Sequence, residues 1–182
     1  MRLSFLLFGL VLGLFSGTAQ ESSFSLTGKT NDIKDGSWLY FRDLVNGGTL
    51  DSAEVQNNSF KFKTKLPESR MWVMLHTKDR SKFKELWLQD KPMRFDASNT
   101  DFQDAEVTGS ISQELVDEIK TVYEDYDKIS EAELRKRQEE FIKNNPNALI
   151  SARMLYEVSG KWGQETTAHY FDLFPEEIQE SA

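Results

Sequence analysis

The chain of 182 residues carries 30 acidic against 22 basic side chains, a formal net charge of −8, with 38% apolar residues and 12% aromatics. Aromatic content on that scale supports a packed core, and the acidity argues against nucleic acid or an anionic membrane surface as partner. Cysteine is absent, which excludes disulfides, thiolate metal sites, thiol redox chemistry and a lipid-modified N-terminal Cys together.

Residues 1–19 read as a secretory signal. Arg2 gives a short positive n-region, residues 3–15 are apolar apart from Ser4 and two glycines, and Gly17-Thr18-Ala19 offers small residues for cleavage after Ala19. The apolar run is too short for a comfortable membrane span. The expected mature protein is therefore periplasmic or secreted, is not a lipoprotein, and keeps no stable span after cleavage.

From residue 20 the chain alternates apolar and polar side chains, the signature of half-buried strands. The expected strands cover residues 24–29, 37–42, 50–55, 60–66, 71–76, 86–88, 93–96 and 105–109. The second, Ser37-Trp38-Leu39-Tyr40-Phe41-Arg42, is apolar on both faces and is expected to lie centrally or under cover. Gln56-Asn57-Asn58-Ser59 separates two of these runs, and Asn tolerates positive φ, so residues 50–62 read as a hairpin with Lys61 and Lys63 facing out. Strands this short, at intervals of roughly 8–12 residues, point to an antiparallel sandwich or barrel.

At Gly109-Ser110 the period changes to that of helices. Ser110 with Gln113 and Ser130 with Glu133 form two capping-box patterns. Ile111, Leu115, Ile119, Val122, Tyr123 and Tyr126 mark one apolar stripe; Leu134, Gln138, Phe141 and Ile142 mark a second helix. Asn145 is expected to cap a third helix with Pro146 at its first position and Gly160 at its end, and a fourth helix spans residues 164–174. The fold class is α+β: a sandwich of seven or eight short strands over residues 20–110, then three or four helices over residues 111–182. The charge follows this division. Residues 20–110 hold 13 basic and 14 acidic side chains, residues 111–182 hold 8 and 16, so an acidic helical surface is available to a basic partner.

Phe24-x-Leu26-x-Gly28-Lys29, Leu50-Asp51-Ser52-Ala53-x-Val55 with Asn58-x-Phe60-x-Phe62, and Val107-x-Gly109-Ser110 together resemble the DUF4369 domain of exported Bacteroidota proteins. Phe141-Ile142-Lys143-Asn144-Asn145-Pro146 resembles the helical segment that commonly follows it. The resemblance implies a module that often precedes a thioredoxin-like domain carrying a Cys-x-x-Cys pair. This chain has no Cys, so that redox activity does not carry over, and the module brings no catalytic residues to map. Two expectations follow: a stand-alone version, which is preferred, or the N-terminal module of an envelope thiol-disulfide oxidoreductase whose thioredoxin-like domain is absent from this chain.

Candidate chemistry is sparse. His76 and His169 have no metal-ligand spacing. Asp101, Asp104 and Glu106 supply oxygens without the glycine and distal Glu of a calcium loop. Asp51 and Ser52 are adjacent in a strand and so point to opposite faces. These read as structural, and no catalytic residue, metal ligand or cofactor is assigned. Trp38, Trp72 and Trp87 all fall in strands, and an aromatic platform on a sheet face binds a sugar or peptide; they are the candidate ligand-binding residues. A basic loop (Lys78, Arg80, Lys82, Lys84) is a weaker candidate for a phosphate or lipid headgroup. The reading is an exported, non-enzymatic envelope module that contacts an unidentified envelope protein or small ligand. Its oligomeric state is left open.

Overall fold

The computed structural model describes residues 24–180; the expected leader, residues 1–19, lies outside the described residues. The alternating half forms eight strands: β1 (Ser25–Thr30), β2 (Trp38–Asp43), β3 (Thr49–Glu54), β4 (Ser59–Phe62), β5 (Arg70–Thr77), β6 (Phe83–Gln89), β7 (Pro92–Ala97) and β8 (Glu106–Thr108). They sort into two sheets, ordered β4-β1-β7-β8 and β3-β2-β5-β6. Alternate residues turn inward and meet between the sheets. Leu26, Phe60, Phe62 and Phe95 from one side pack against Leu39, Phe41, Val73, Leu75 and Leu86 from the other. Burying each such side chain stabilises the fold by roughly 1.5–3 kcal/mol.

Two features of the sheets depart from the sequence reading. The sandwich is not wholly antiparallel: β1 runs parallel to β7, pairing Leu26 with Met93 and Gly28 with Phe95. Residues 50–62 also do not make a hairpin ladder. The turn itself forms as read, with Asn57 and Asn58 at φ of 52° and 57° and their backbone N–H groups donating to Asp35 at 2.9 and 3.0 Å. Beyond it the strands part, β3 into the second sheet and β4 into the first, so the turn is a crossover between layers. A packing reason is visible at Gly28. The Phe60 ring lies 2.0 Å from where a Gly28 Cβ would sit, so β4 lays its aromatic side chain across the bare backbone of β1, with which it pairs. Lys61 and Lys63 do face solvent.

The helices are α1 (Ile111–Glu114), α2 (Val116–Val122), α3 (Glu131–Asn144), α4 (Leu149–Trp162), α5 (Gln164–Phe171) and α6 (Glu176–Gln179). Both serine caps form: Ser110 and Ser130 accept from the N–H groups of Gln113 and Glu133. The single stripe expected from Ile111 to Tyr126 is broken at Leu115, and its two ends, Ile111 and Tyr126, are exposed. Asn145 closes α3, with its side-chain amide donating to the Phe141 carbonyl at 3.1 Å, and α4 begins only after Ala148. Gly160 lies inside α4, which ends at Gly163 (φ 80°). The last segment is two helices, with Pro175 preceding α6.

The helices form a third layer on the outer face of the second sheet. Phe141, Ile142, Ile150, Met154, Leu155 and Trp162 build its core, and Trp87 of β6 is a member of the same cluster. Arg70, buried at the start of β5, ties the layers further: it donates to the Asn147 carbonyl at 2.5 Å and to the Glu177 carboxylate. No helix among the described residues is long and apolar enough to cross a membrane.

Candidate ligand-binding site

The three tryptophans share the outer face of the second sheet, but the structure brings only two together. Trp72 and Trp87 are cross-strand partners on β5 and β6 and stack at 5.3 Å with their planes 8° apart. Helix α4 covers them, with the Arg153 guanidinium 4.8 Å from the Trp72 ring and in turn paired with Glu157 at 2.9 Å. Small clefts of about 240 and 360 Å³ flank this stack. Trp38 is elsewhere. Leu44 takes the place opposite Trp72, and Trp38 lies six residues back along that chain, about 20 Å away at roughly 3.3 Å per residue. The helical layer does not reach it, and Trp38 is 47% exposed against 8% for Trp87.

Around Trp38 the uncovered end of the sheet face forms an open groove of about 930 Å³, whose walls include Ile33, Lys34, Ser37, Tyr40, Thr77, Lys78 and Lys82. Tyr40 follows Trp38 by two residues and so shares its face. It is steadied by His76, its partner on β5, whose ring stacks on it at 5.8 Å. His76 is buried, and its Nδ1 donates to the Thr77 carbonyl at 2.7 Å. The sequence reading separated the tryptophans from the basic loop. The fold joins Trp38 to that loop, because the β5–β6 turn closes one end of the groove. Lys84 is directed away, donating to the Gln103 carbonyl. Tyr40 was legible from the i, i+2 spacing; Lys34 and Ser37 had no signal, since they reach the groove only through the β1–β2 loop.

The groove's charges are unequally engaged. Asp32 accepts from Lys82 at 2.7 Å, from the Thr30 hydroxyl and from the Phe102 N–H. Burial pushes its carboxyl up, but these bonds outweigh it and hold it below its ordinary value. Asp79 accepts from the Thr77 hydroxyl at 2.6 Å and from the Ser81 hydroxyl and N–H, which lower it to about 2. Both carboxylates are thus spent on shaping the loops. Lys34 and Lys78 are exposed and make no ion pair among the described residues.

The remaining candidates fall apart in space or into local structure. His169 packs edge-on against Tyr170. Asp101 and Asp104 bracket a single 3₁₀ turn, Phe102–Asp104, while Glu106 starts β8. Among the described residues no group of three or more His, Asp or Glu side chains is placed to hold a metal. The acidic helices are laced with their own ion pairs, Arg137–Glu133, Arg135–Glu139 and Lys136–Glu140 on α3, which leaves less of that surface for a basic partner.

The fold defines a β-sandwich with a helical layer on one sheet, and an aromatic groove at the end that the layer leaves open. Residues 24–116, just over half of the chain, match a family described as a domain of unknown function, DUF4369. The chain belongs to the DUF4369 family. The matched span runs past β8 through α1. Buried Gln113 of α1 there accepts from the Trp87 N–H at 3.1 Å, closing the edge of β6. No curated protein and no solved structure matches the chain.

Proposed function

We propose that this DUF4369 protein is an exported, non-enzymatic binding module of the cell envelope, and that its ligand sits in the groove of Trp38 and Tyr40. The observation that carries the reading is the contrast among tryptophans on one sheet face. Trp72 and Trp87 are taken up by the helical layer, while Trp38 stays open beside a steadied Tyr40. An indole 47% exposed at the mouth of a groove, beside a second ring on the same face, offers a ligand an apolar surface to stack on. The export half of the proposal rests on the leader pattern in residues 1–19.

One experiment tests both halves. The full-length gene is expressed with a C-terminal tag in a Bacteroidota host. The protein from the envelope fraction is then sized by mass spectrometry and applied to oligosaccharide and peptide arrays beside Trp38→Ala. The expected outcome is a mature chain beginning at Gln20 and array signals that Trp38→Ala abolishes. Retention of Met1 contradicts cleavage after Ala19, absence from the envelope fraction contradicts export, and signals that survive Trp38→Ala contradict the site.

A further inference from the structure

We infer that the groove is built for an acidic sugar, a pyranose ring carrying a carboxylate or phosphate. The inference rests on the groove being the ligand site and adds the ligand's chemistry. Three observations carry it.

The first is the position of Trp38. It stands on β2, which is flanked by β3 and β5, so its strand offers no free backbone ladder to an extended peptide. What it offers is a ring face. The polarised C–H bonds on one side of a pyranose lie favourably on the negative face of an indole, and Tyr40 extends that surface. The second is the rim. Ser37 lines the groove with a hydroxyl suited to a polyol, and the Ser81 oxygen, whose proton is directed to Asp79, keeps acceptor capacity toward one.

The third is charge. Asp32 is ion-paired with Lys82, and Asp79 keeps its charge while accepting from hydroxyl and N–H groups, whereas the ammonium groups of Lys34 and Lys78 make no ion pair among the described residues. The three lysines and two aspartates that line the groove leave it one positive charge in excess, in a protein whose formal total is −8. That total repels a long polyanion from a distance, yet screening over roughly 8 Å at physiological salt leaves the local lysines in command at contact. A short ligand with isolated anionic groups fits both conditions.

The test uses two probes with the same sugar backbone, charged trigalacturonate and its uncharged, fully methyl-esterified form, titrated calorimetrically into the mature protein. Trigalacturonate is expected to bind about tenfold more tightly than the ester, the sum of two exposed charge contacts. Lys34→Gln and Lys78→Gln are each expected to lower trigalacturonate affinity about threefold and to leave the ester unchanged. Trp38→Ala is expected to abolish both while the protein still melts in one cooperative transition. Equal binding of the two probes, insensitive to the lysines but lost in Trp38→Ala, overturns the acidic class and leaves the groove as a neutral-sugar site. Inorganic phosphate that competes through the lysines, with trigalacturonate binding that survives Trp38→Ala, overturns the sugar and leaves an anion site. Binding of neither probe overturns the acidic-sugar inference, while array signals abolished by Trp38→Ala keep the groove itself as the ligand site.

Discussion

Trp38 and Trp87 are the same residue type on the same sheet face, yet their removal is expected to cost the fold very different amounts. Trp87 is a member of the helical core, so Trp87→Ala is expected to cost about 3–5 kcal/mol in urea unfolding. Trp38→Ala, which removes a half-buried side chain, is expected to cost about 1–2 kcal/mol. A Trp38→Ala loss as large as that of Trp87→Ala contradicts the assignment of Trp38 to a free surface. Asp79 makes a second prediction at this scale. Its folded-state carboxyl is depressed from 3.8 to about 2 by the Thr77 and Ser81 bonds. A depressed carboxyl contributes stability that is present above its unfolded value, near pH 4, and is lost as the pH falls toward 2. The Ser81 amide resonance, whose N–H donates to Asp79, is expected to titrate with a midpoint at about 2. A midpoint at the ordinary value contradicts the clamp that shapes the groove wall.

At the level of elements, Gln113 shows how a short helix completes a sheet. Its side chain accepts from the Trp87 backbone and so blunts the open edge of β6. Gln113→Leu leaves that N–H buried without a partner and is expected to cost about 1–3 kcal/mol. Faster hydrogen exchange at the Trp87 amide is the measurement, and unchanged exchange contradicts the role. The same helix shows where the sequence was legible and where it was not. Period-two alternation and short apolar runs between turn residues located all eight strands, and the Ser110 and Ser130 caps were readable, because these signals are local. The partners of those strands were not. The Asn57-Asn58 turn reads as a hairpin because its φ angles suit one, but sheet membership was decided elsewhere, by Phe60 lying over Gly28. The parallel pairing of β1 with β7 leaves no local trace at all. Similarly, the stripe from Ile111 to Tyr126 is continuous in the sequence, whereas the helix breaks at Leu115, turns Ser112 and Gln113 inward and ends at Val122 before Tyr126. The two sequence-level site candidates, the tryptophans and the basic loop, were each visible. That Trp38 alone belongs with the loop required the register of β2 on β5.

Across the whole molecule, the three layers divide the labour of one sheet face. One end receives the helices through Trp72, Trp87 and Arg70. The other end keeps its aromatic groups open and ringed by the β1–β2 and β5–β6 loops, which Lys82 and Asp32 pin together. On the proposed reading, stability and recognition lie at opposite ends of the same strands, so the groove can vary without unseating the helical layer. Fluorine NMR of the protein labelled with 5-fluorotryptophan tests this division most directly, because the chain has only four tryptophans. On titration with trigalacturonate, the Trp38 resonance is expected to move while those of Trp72, Trp87 and Trp162 stay fixed. Movement at Trp72 and Trp87 with Trp38 unchanged would place the ligand at the sheet–helix junction and contradict the division.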